Sequence, residues 1–172
     1  MTKYKLVGKR LFASEIVKIP EERIAVLIGK KGEVKKFIQK KLGVRLNIKD
    51  ETIEITGPAE GVEIATNITK AIGRGFSPER AYNLLKPGWR LEIISIKGES
   101  EKCIKRLMGR VIGRAGAARR YIEGATGTLV SVYGSSVAVI GEGEGLETAC
   151  RVIEALLAGK THAYAYKELE RI

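Results

Sequence analysis

The sequence predicts an α+β protein made of two copies of one β-α-α-β-β-α unit, each a three-stranded antiparallel sheet backed by helices. Three observations predict it. First, the stretch Val26-Leu27-Ile28-Gly29-Lys30-Lys31-Gly32 returns 84 positions later as Arg110-Val111-Ile112-Gly113-Arg114-Ala115-Gly116. The same shift lays Ile38 on Ile122, Gly43 on Gly127, Gly57 on Gly141, Ala65 on Ala149 and Gly75 on Gly159. Self-similarity at a fixed offset marks a duplicated structural unit. Second, the period-2 patterns superpose: Leu46 and Ile48 fall on Val130 and Val132, and Ile53 and Ile55 on Val137 and Val139. Third, 172 residues with 44% hydrophobic and 30% charged side chains suit two packed domains of roughly 75–85 residues.

Residues Met1 to Leu11 carry Lys3, Lys5, Lys9 and Arg10 without clear periodicity and read as a basic, partly mobile tail. Glu15–Ile19 alternates as a first strand. Pro20-Glu21-Glu22 opens a helix, with Pro in the first turn and acids at the positive end of the dipole. It stops at Gly29. A second helix from Gly32 places Val34, Ile38 and Leu42 on one face, and Gly43 ends it. Val44–Ile48 and Thr52–Ile55 are strands around the polar turn Lys49-Asp50-Glu51. A longer helix after Pro58 carries Val62, Ala65, Ile68 and Ile72.

Ser77-Pro78-Glu79-Arg80 then reads as a cap followed by Pro at the first helical position of a short helix. Lys86-Pro87-Gly88 closes it. Trp89–Ile96 is the first strand of the second copy, and the helix from about Glu101 is longer than its counterpart. Thr128–Val132 and Ser136–Val139 are strands, and the last long helix carries Leu146, Ala149, Val152, Ile153 and Leu156. Tyr82 and Leu85 shift onto Tyr166 and Leu169, so each copy carries its own appended helix. The expected domains are 1–76 with the basic tail, a short helix and linker at 77–88, 89–160, and a C-terminal short helix at 161–172.

The formal net charge of +11 points to a polyanionic partner: nucleic acid first, an anionic membrane second. No apolar run approaches a membrane span and none has the form of a signal peptide. Cys103 and Cys150, both in helical apolar patterns, read as two reduced thiols of a cytoplasmic protein. Gln39 is the only glutamine and Asn47, Asn67 and Asn83 the only asparagines, a depletion that fits a hyperthermophile.

The chemistry centres on the two Gly-x-x-Gly turns. Glycine lets the backbone approach a sugar-phosphate closely. The following helix aims its N-terminal amides at an anion lying there. Around the first turn stand Lys30, Lys31, Lys35, Lys36, Lys40 and Lys41; around the second, Lys105, Arg106, Arg110, Arg114, Arg119 and Arg120. A solvated helix-helix turn would suffice for one copy. Two copies in the same context argue for a binding site.

Ile-Gly-x-x-Gly between two helices, followed by a β-hairpin and a long helix, resembles the KH domain in its eukaryotic (type I) order. KH folds hold about four nucleotides of single-stranded nucleic acid, with the loop on the backbone and an apolar groove under the bases. The resemblance implies RNA contacts from Ile28, Gly29, Lys30, Lys31, Gly32, Lys35 and Lys36, with Leu46 and Ile48 completing the base platform. In the second copy it implies Arg106, Arg110, Ile112, Gly113, Arg114, Ala115, Gly116, Arg119 and Arg120, with Val130 and Val132. Phe37 and Tyr121, at equivalent helix positions, read as core. Ser77-Pro78-Glu79-Arg80-Ala81, Leu91-Glu92-Ile93-Ile94, Gly109–Gly113 and Ser131-Val132-Tyr133-Gly134 further resemble the archaeal and eukaryotic partner-of-Nob (Dim-two-like) family, from about Glu15 to Leu169. That implies an RNA-binding adaptor in small-subunit ribosome maturation, near the 3′ end of the 16S-type rRNA beside the Nob endonuclease. A general RNA-binding or translational adaptor contacting an initiation factor is the alternative. In eukaryotic relatives the first Gly-x-x-Gly is degraded; here it is intact.

No cofactor, metal or catalytic set is expected. One histidine, His162, and two scattered cysteines cannot build a metal cluster, which disfavours an RNA-processing enzyme. Gly141-Glu142-Gly143-Glu144-Gly145 imitates a dinucleotide fingerprint, but Leu146 stands where its third glycine belongs.

Overall fold

Each copy of the repeat closes around one antiparallel sheet, and the chain divides into the units Met1–Leu85 and Lys86–Ile172. The computed structural model describes residues 2–8 and 10–171. In the first unit the elements are β1 (Lys3–Val7), β2 (Arg10–Lys18), α1 (Glu21–Ile28), α2 (Glu33–Leu42), β3 (Arg45–Lys49), β4 (Thr52–Pro58), α3 (Ala59–Gly73) and α4 (Pro78–Ala81), which runs into a 3₁₀ turn at Tyr82–Leu85. The second has β5 (Arg90–Ser95), α5 (Glu101–Ile112), α6 (Ala117–Thr126), β6 (Leu129–Tyr133), β7 (Ser136–Gly141), α7 (Gly143–Leu157) and α8 (His162–Tyr166).

The α+β class and the duplicated β-α-α-β-β-α order are as the sequence predicts, and the strand register repeats as well. Leu46 pairs with Ile55 and Ile48 with Ile53; 84 positions on, Val130 pairs with Val139 and Val132 with Val137. The sheet orders are β1-β2-β4-β3 and β5-β7-β6. Leu27, Ile38, Ile53, Ile55, Ala65, Ile68 and Ile72 form the buried core of the first unit, and Val111, Ile122, Val130, Val137, Val139, Ala149 and Ile153 that of the second. Each buried Leu or Ile contributes about 1.5–3 kcal/mol. Gly61 and Gly145, at equivalent positions, lie where a Cβ would strike the carbonyls of Leu42 and Thr126, so the last long helix crosses the end of the second one closely.

The N-terminal segment corrects one expectation. It is the strand β1, paired with β2 from Lys3↔Ser14 to Val7↔Arg10, so the first sheet has four strands. Tyr4 and Leu6 alternate with Lys3 and Lys5, a period-2 pattern that the lysines disguise as a charged tail. Gly8 turns the chain with φ 62°. Lys9, counted within that tail, lies outside the described residues, as do Met1 and the last residue of the C-terminal segment, Ile172.

The appended helices correct a second. Phe37 and Tyr121 are 42% and 53% exposed rather than core. Phe37 meets Tyr82 at 4.5 Å between ring centroids, and Tyr121 meets Tyr166 at 4.7 Å, tilted in both cases. Each pair fastens an appended segment to the second helix of its own unit. Ser77 and Thr161 cap these short helices by accepting from the amides of Arg80 (3.4 Å) and Tyr164 (3.2 Å).

Candidate nucleic-acid interface

Both loops adopt one strained geometry. In the first, Gly29, Lys31 and Gly32 have φ of 74°, 53° and 78°; in the second, Gly113, Ala115 and Gly116 have 72°, 49° and 77°. The leading glycine is obligatory for two reasons: a positive φ, and the absence of room for a side chain. A Cβ would lie 2.5 Å from Val34 Cγ2 at Gly29 and 2.6 Å from Ala118 Cβ at Gly113. The third loop residue, Lys31 or Ala115, takes the left-handed region without being glycine, at a cost of about 1–2 kcal/mol. No side chain caps the N-terminus of α2 or α6, and their first amides, those of Glu33 and Ala117, donate back to the loop carbonyls of Lys30 and Arg114.

Beside each loop an apolar groove runs between the first helix and the β-hairpin. In the first unit Ile24, Ala25, Ile28 and Ile48 line about 700 Å³, with Glu21, Asp50 and Glu51 at the rim. In the second, Met108, Gly109, Ile112 and Val132 line about 660 Å³, with Lys105, Gly134 and Ser135 in the positions of those three acids. Glu101 and Ile104, from the additional turn of α5, extend the second groove. The grooves are thus the same feature by position, but the first is rimmed by carboxylates.

Ile28 and Ile112 end their helices at the groove mouth, and Ile48 and Val132 form its strand side. Leu46 and Val130 do not join them: they are 2% and 0% exposed. They share a sheet face with Ile48 and Val132 but lie farther under the helices, so only the strand end is open to a base. Their amides are also taken. Leu46 N–H donates to Gln39 Oε1 at 2.8 Å, and Val130 N–H to Glu123 Oε1 at 2.7 Å. Sequence reasoning missed this pair of clamps, although Gln39 and Glu123 are related by the repeat.

The basic residues divide in role. Lys30, Lys31 and Arg114 are exposed on the loops, and Lys35 is half-buried. Lys36 Nζ donates to Lys31 O at 3.2 Å, and Arg120 Nη1 to Ala115 O at 2.9 Å, so both brace the strained residue. Arg119 is half-buried, its Nε lacking a hydrogen-bond partner. Arg106 lies beside Cys103 Sγ at 3.8 Å, a step round the helix from the groove face; Lys105 lines the groove instead. Arg110, expected to contact RNA, turns to the C-terminal segment. Its Nη2 donates to Lys160 O, and His162 Nε2 meets its carbonyl at 2.9 Å. An acceptor carbonyl requires that this nitrogen carry the proton. Among the described residues no three His, Cys, Asp or Glu side chains gather as metal ligands.

Two Gly-x-x-Gly loops, each beside an apolar groove in a type I β-α-α-β-β-α unit, define a tandem KH protein. A model described as the eukaryotic type KH domain (KH-domain type I) matches residues 90–172, and a KH-domain model matches 14–70. A KH domain-containing protein of Methanocaldococcus jannaschii is 50% identical over 165 residues, covering 91% of this chain and 73% of that one. The structure of an a/eIF2alpha–aDim2p–rRNA complex from Pyrococcus horikoshii matches with a TM-score of 0.86 and 45% identity, over 93% of each chain. The pre-rRNA-processing protein PNO1 of Chaetomium thermophilum is 29% identical over 146 residues; these are 77% of this chain and only 55% of that longer protein. The chain belongs to the PNO1/Dim2 family of tandem KH proteins.

Proposed function

We propose that this protein is a non-catalytic adaptor that binds single-stranded RNA during small-subunit ribosome maturation, at the 3′ region of the 16S-type rRNA. The observation that carries it is the duplicated strained loop beside an apolar groove. A loop of this shape accepts phosphates on its backbone and lysines, while the groove takes unstacked bases and leaves a duplex outside. The relatives support the pathway: one is named for pre-rRNA processing, and another was solved with rRNA and an initiation factor subunit. The same initiation factor subunit is a partner on this reading, and the Nob endonuclease the enzyme it assists. The protein acts in the cytoplasm without inserting in a membrane; no helix among the described residues is long and apolar enough to cross one.

Binding of a labelled single-stranded oligonucleotide with the 16S 3′ sequence tests this reading. With about six phosphates neutralised, affinity falls by roughly 10³ between 50 and 200 mM salt, taking duplex DNA as an upper guide. Duplex RNA competes poorly. Cleavage or modification of the oligonucleotide in magnesium, or a flat salt profile, would overturn it.

A further inference from the structure

The repeat exposes a second pair of equivalent grooves, one in each unit, on the far edge of each sheet from the RNA groove. In the second unit a cleft of about 510 Å³ lies between β5 and α7, lined by Arg90, Glu92, Ile94, Leu146, Cys150 and Glu154 among others. In the first, a cleft of about 570 Å³ lies between β1, β2 and α3, lined by Ala13, Glu15, Val62, Thr66 and Lys70 among others. The registers make them counterparts. Val17 pairs with Ile53 and Ile94 with Val137, which are 84 apart, so Glu92 stands where Glu15 does and Arg90 where Ala13 does. On the helices, Val62, Thr66 and Lys70 shift onto Leu146, Cys150 and Glu154.

The two edges differ in one respect. In the first unit the outer edge of β2 is occupied by β1, whose Tyr4 lines the cleft while staying 65% exposed. In the second unit β5 is the outermost strand of its sheet, with no strand on its free side among the described residues. An unpaired edge presents a row of backbone donors and acceptors and is a ready template for strand addition. The cleft beside it is acidic in a protein of net charge +11. Glu92, Glu147 and Glu154 line it against Arg90 and Arg151, and Arg151 is already tied to Glu168 (3.4 Å) and Thr148 Oγ1 (2.8 Å). The Cys150 thiol registers this surrounding: burial first, then the carboxylates of Glu92 and Glu154, hold its pKa up at about 11.

We propose that the β5 edge and the cleft beside α7 receive an extended, basic segment of a partner protein as an added strand, in the position that β1 fills in the first unit. The segment carries Lys or Arg opposite Glu92 and a large apolar side chain two residues further on, which lies along the cleft as Tyr4 does. Within its own unit this surface shares no lining residue with the RNA groove, so the partner and RNA are held by that unit without competing.

The test uses the full chain and a synthetic peptide of its own residues 2–7 with Lys in place of Thr2, followed by backbone amide NMR. The expected result is shifts and slowed amide exchange in residues 90–95 and at Leu146 and Cys150, with the loops unmoved. A peptide with Glu in place of every Lys should give none of these. The charge-reversal pair Glu92→Lys and Glu154→Lys should weaken binding at least tenfold while RNA affinity does not fall. Three outcomes overturn the proposal: no shifts up to about millimolar peptide; shifts confined to β1 and β2, which mean exchange with the chain's own strand; or the same β5 shifts on concentrating the protein alone, which make a second copy the occupant.

Discussion

Arg120 donates to the carbonyl of Ala115 at 2.9 Å, and 84 positions earlier Lys36 makes the same bond to Lys31 at 3.2 Å. Two different cations perform one task in the two units, holding the loop residue that sits in the left-handed region. The arginine is therefore a brace for the shape that meets the phosphate. Arg120→Lys should keep RNA affinity close to wild type, because lysine makes this contact in the first unit. Arg120→Leu should lower it about fivefold, the equivalent of ~1 kcal/mol for one lost hydrogen bond. Fluorescence anisotropy with a short single-stranded RNA distinguishes the two; equal losses in both variants would contradict the brace.

The leading loop glycines are structural as well as functional. Gly113→Ala places a methyl against Ala118 at positive φ and should cost about 2–4 kcal/mol in denaturant unfolding, as should Gly29→Ala against Val34. Gly124 is the control. It lies within α6 with nothing within 4 Å of its would-be Cβ, and Gly124→Ala should stabilise by up to about 1 kcal/mol.

Cys150 makes stability fall at high pH. Its thiol is held up from 9.0 to about 11 in the folded protein, mainly by burial. Between these values the unfolded chain releases the proton and the folded one keeps it, so unfolding gains as pH rises through this window. Burial also raises Tyr82 and Tyr166, which act in the same direction at higher pH. The melting temperature of wild type should therefore drop more between pH 8 and 10.5 than that of Cys150→Ala. Parallel profiles would remove the thiol from the explanation.

Arg110 and His162 join the end of α5 to the C-terminal segment. His162→Phe keeps the ring contact with Tyr166 but loses the bond to the Arg110 carbonyl. Amide exchange over residues 160–170 should accelerate several-fold, with global stability lowered by about 1 kcal/mol. Exchange unchanged in that segment would show that the aromatic contacts alone hold it.

Much of this structure was legible in the sequence because the repeat supplies an internal check on each element. Gly43 and Gly127 end their helices with φ of 66°, and the hairpin registers coincide residue for residue. Two kinds of feature were not legible. Alternation in β1 is masked because its outward residues are lysines and its inward ones, Tyr4 and Leu6, remain exposed. The platform residues Leu46 and Val130 share a pattern with Ile48 and Val132, and periodicity gives the face of a strand, not how far helices cover it. The acidic rim of the first groove was also hidden. Glu21 reads as a helix-start residue and Asp50 and Glu51 as a turn, and only folding brings the three to one groove.

That rim bears on how the two units divide the work. Residues 1–86 hold 18 Lys and Arg against 10 Asp and Glu, whereas 87–172 hold 13 against 10, so charge alone favours the first unit. The groove where bases would lie favours the second, which has Lys105, Gly134 and Ser135 in place of three acids, and whose loop presents the bidentate guanidinium of Arg114. The deciding measurement compares the variant Lys30→Asp with Lys31→Asp and the variant Arg114→Asp with Ala115→Asp, each titrated with a 16S 3′-end oligonucleotide and a scrambled one. Asp tolerates the left-handed position, so both variants should melt near wild type. The second-loop variant should lose most of the preference for the matched sequence, while the first-loop variant weakens both oligonucleotides about equally. Loss of preference in the first-loop variant, with the second-loop variant still discriminating, would contradict this account.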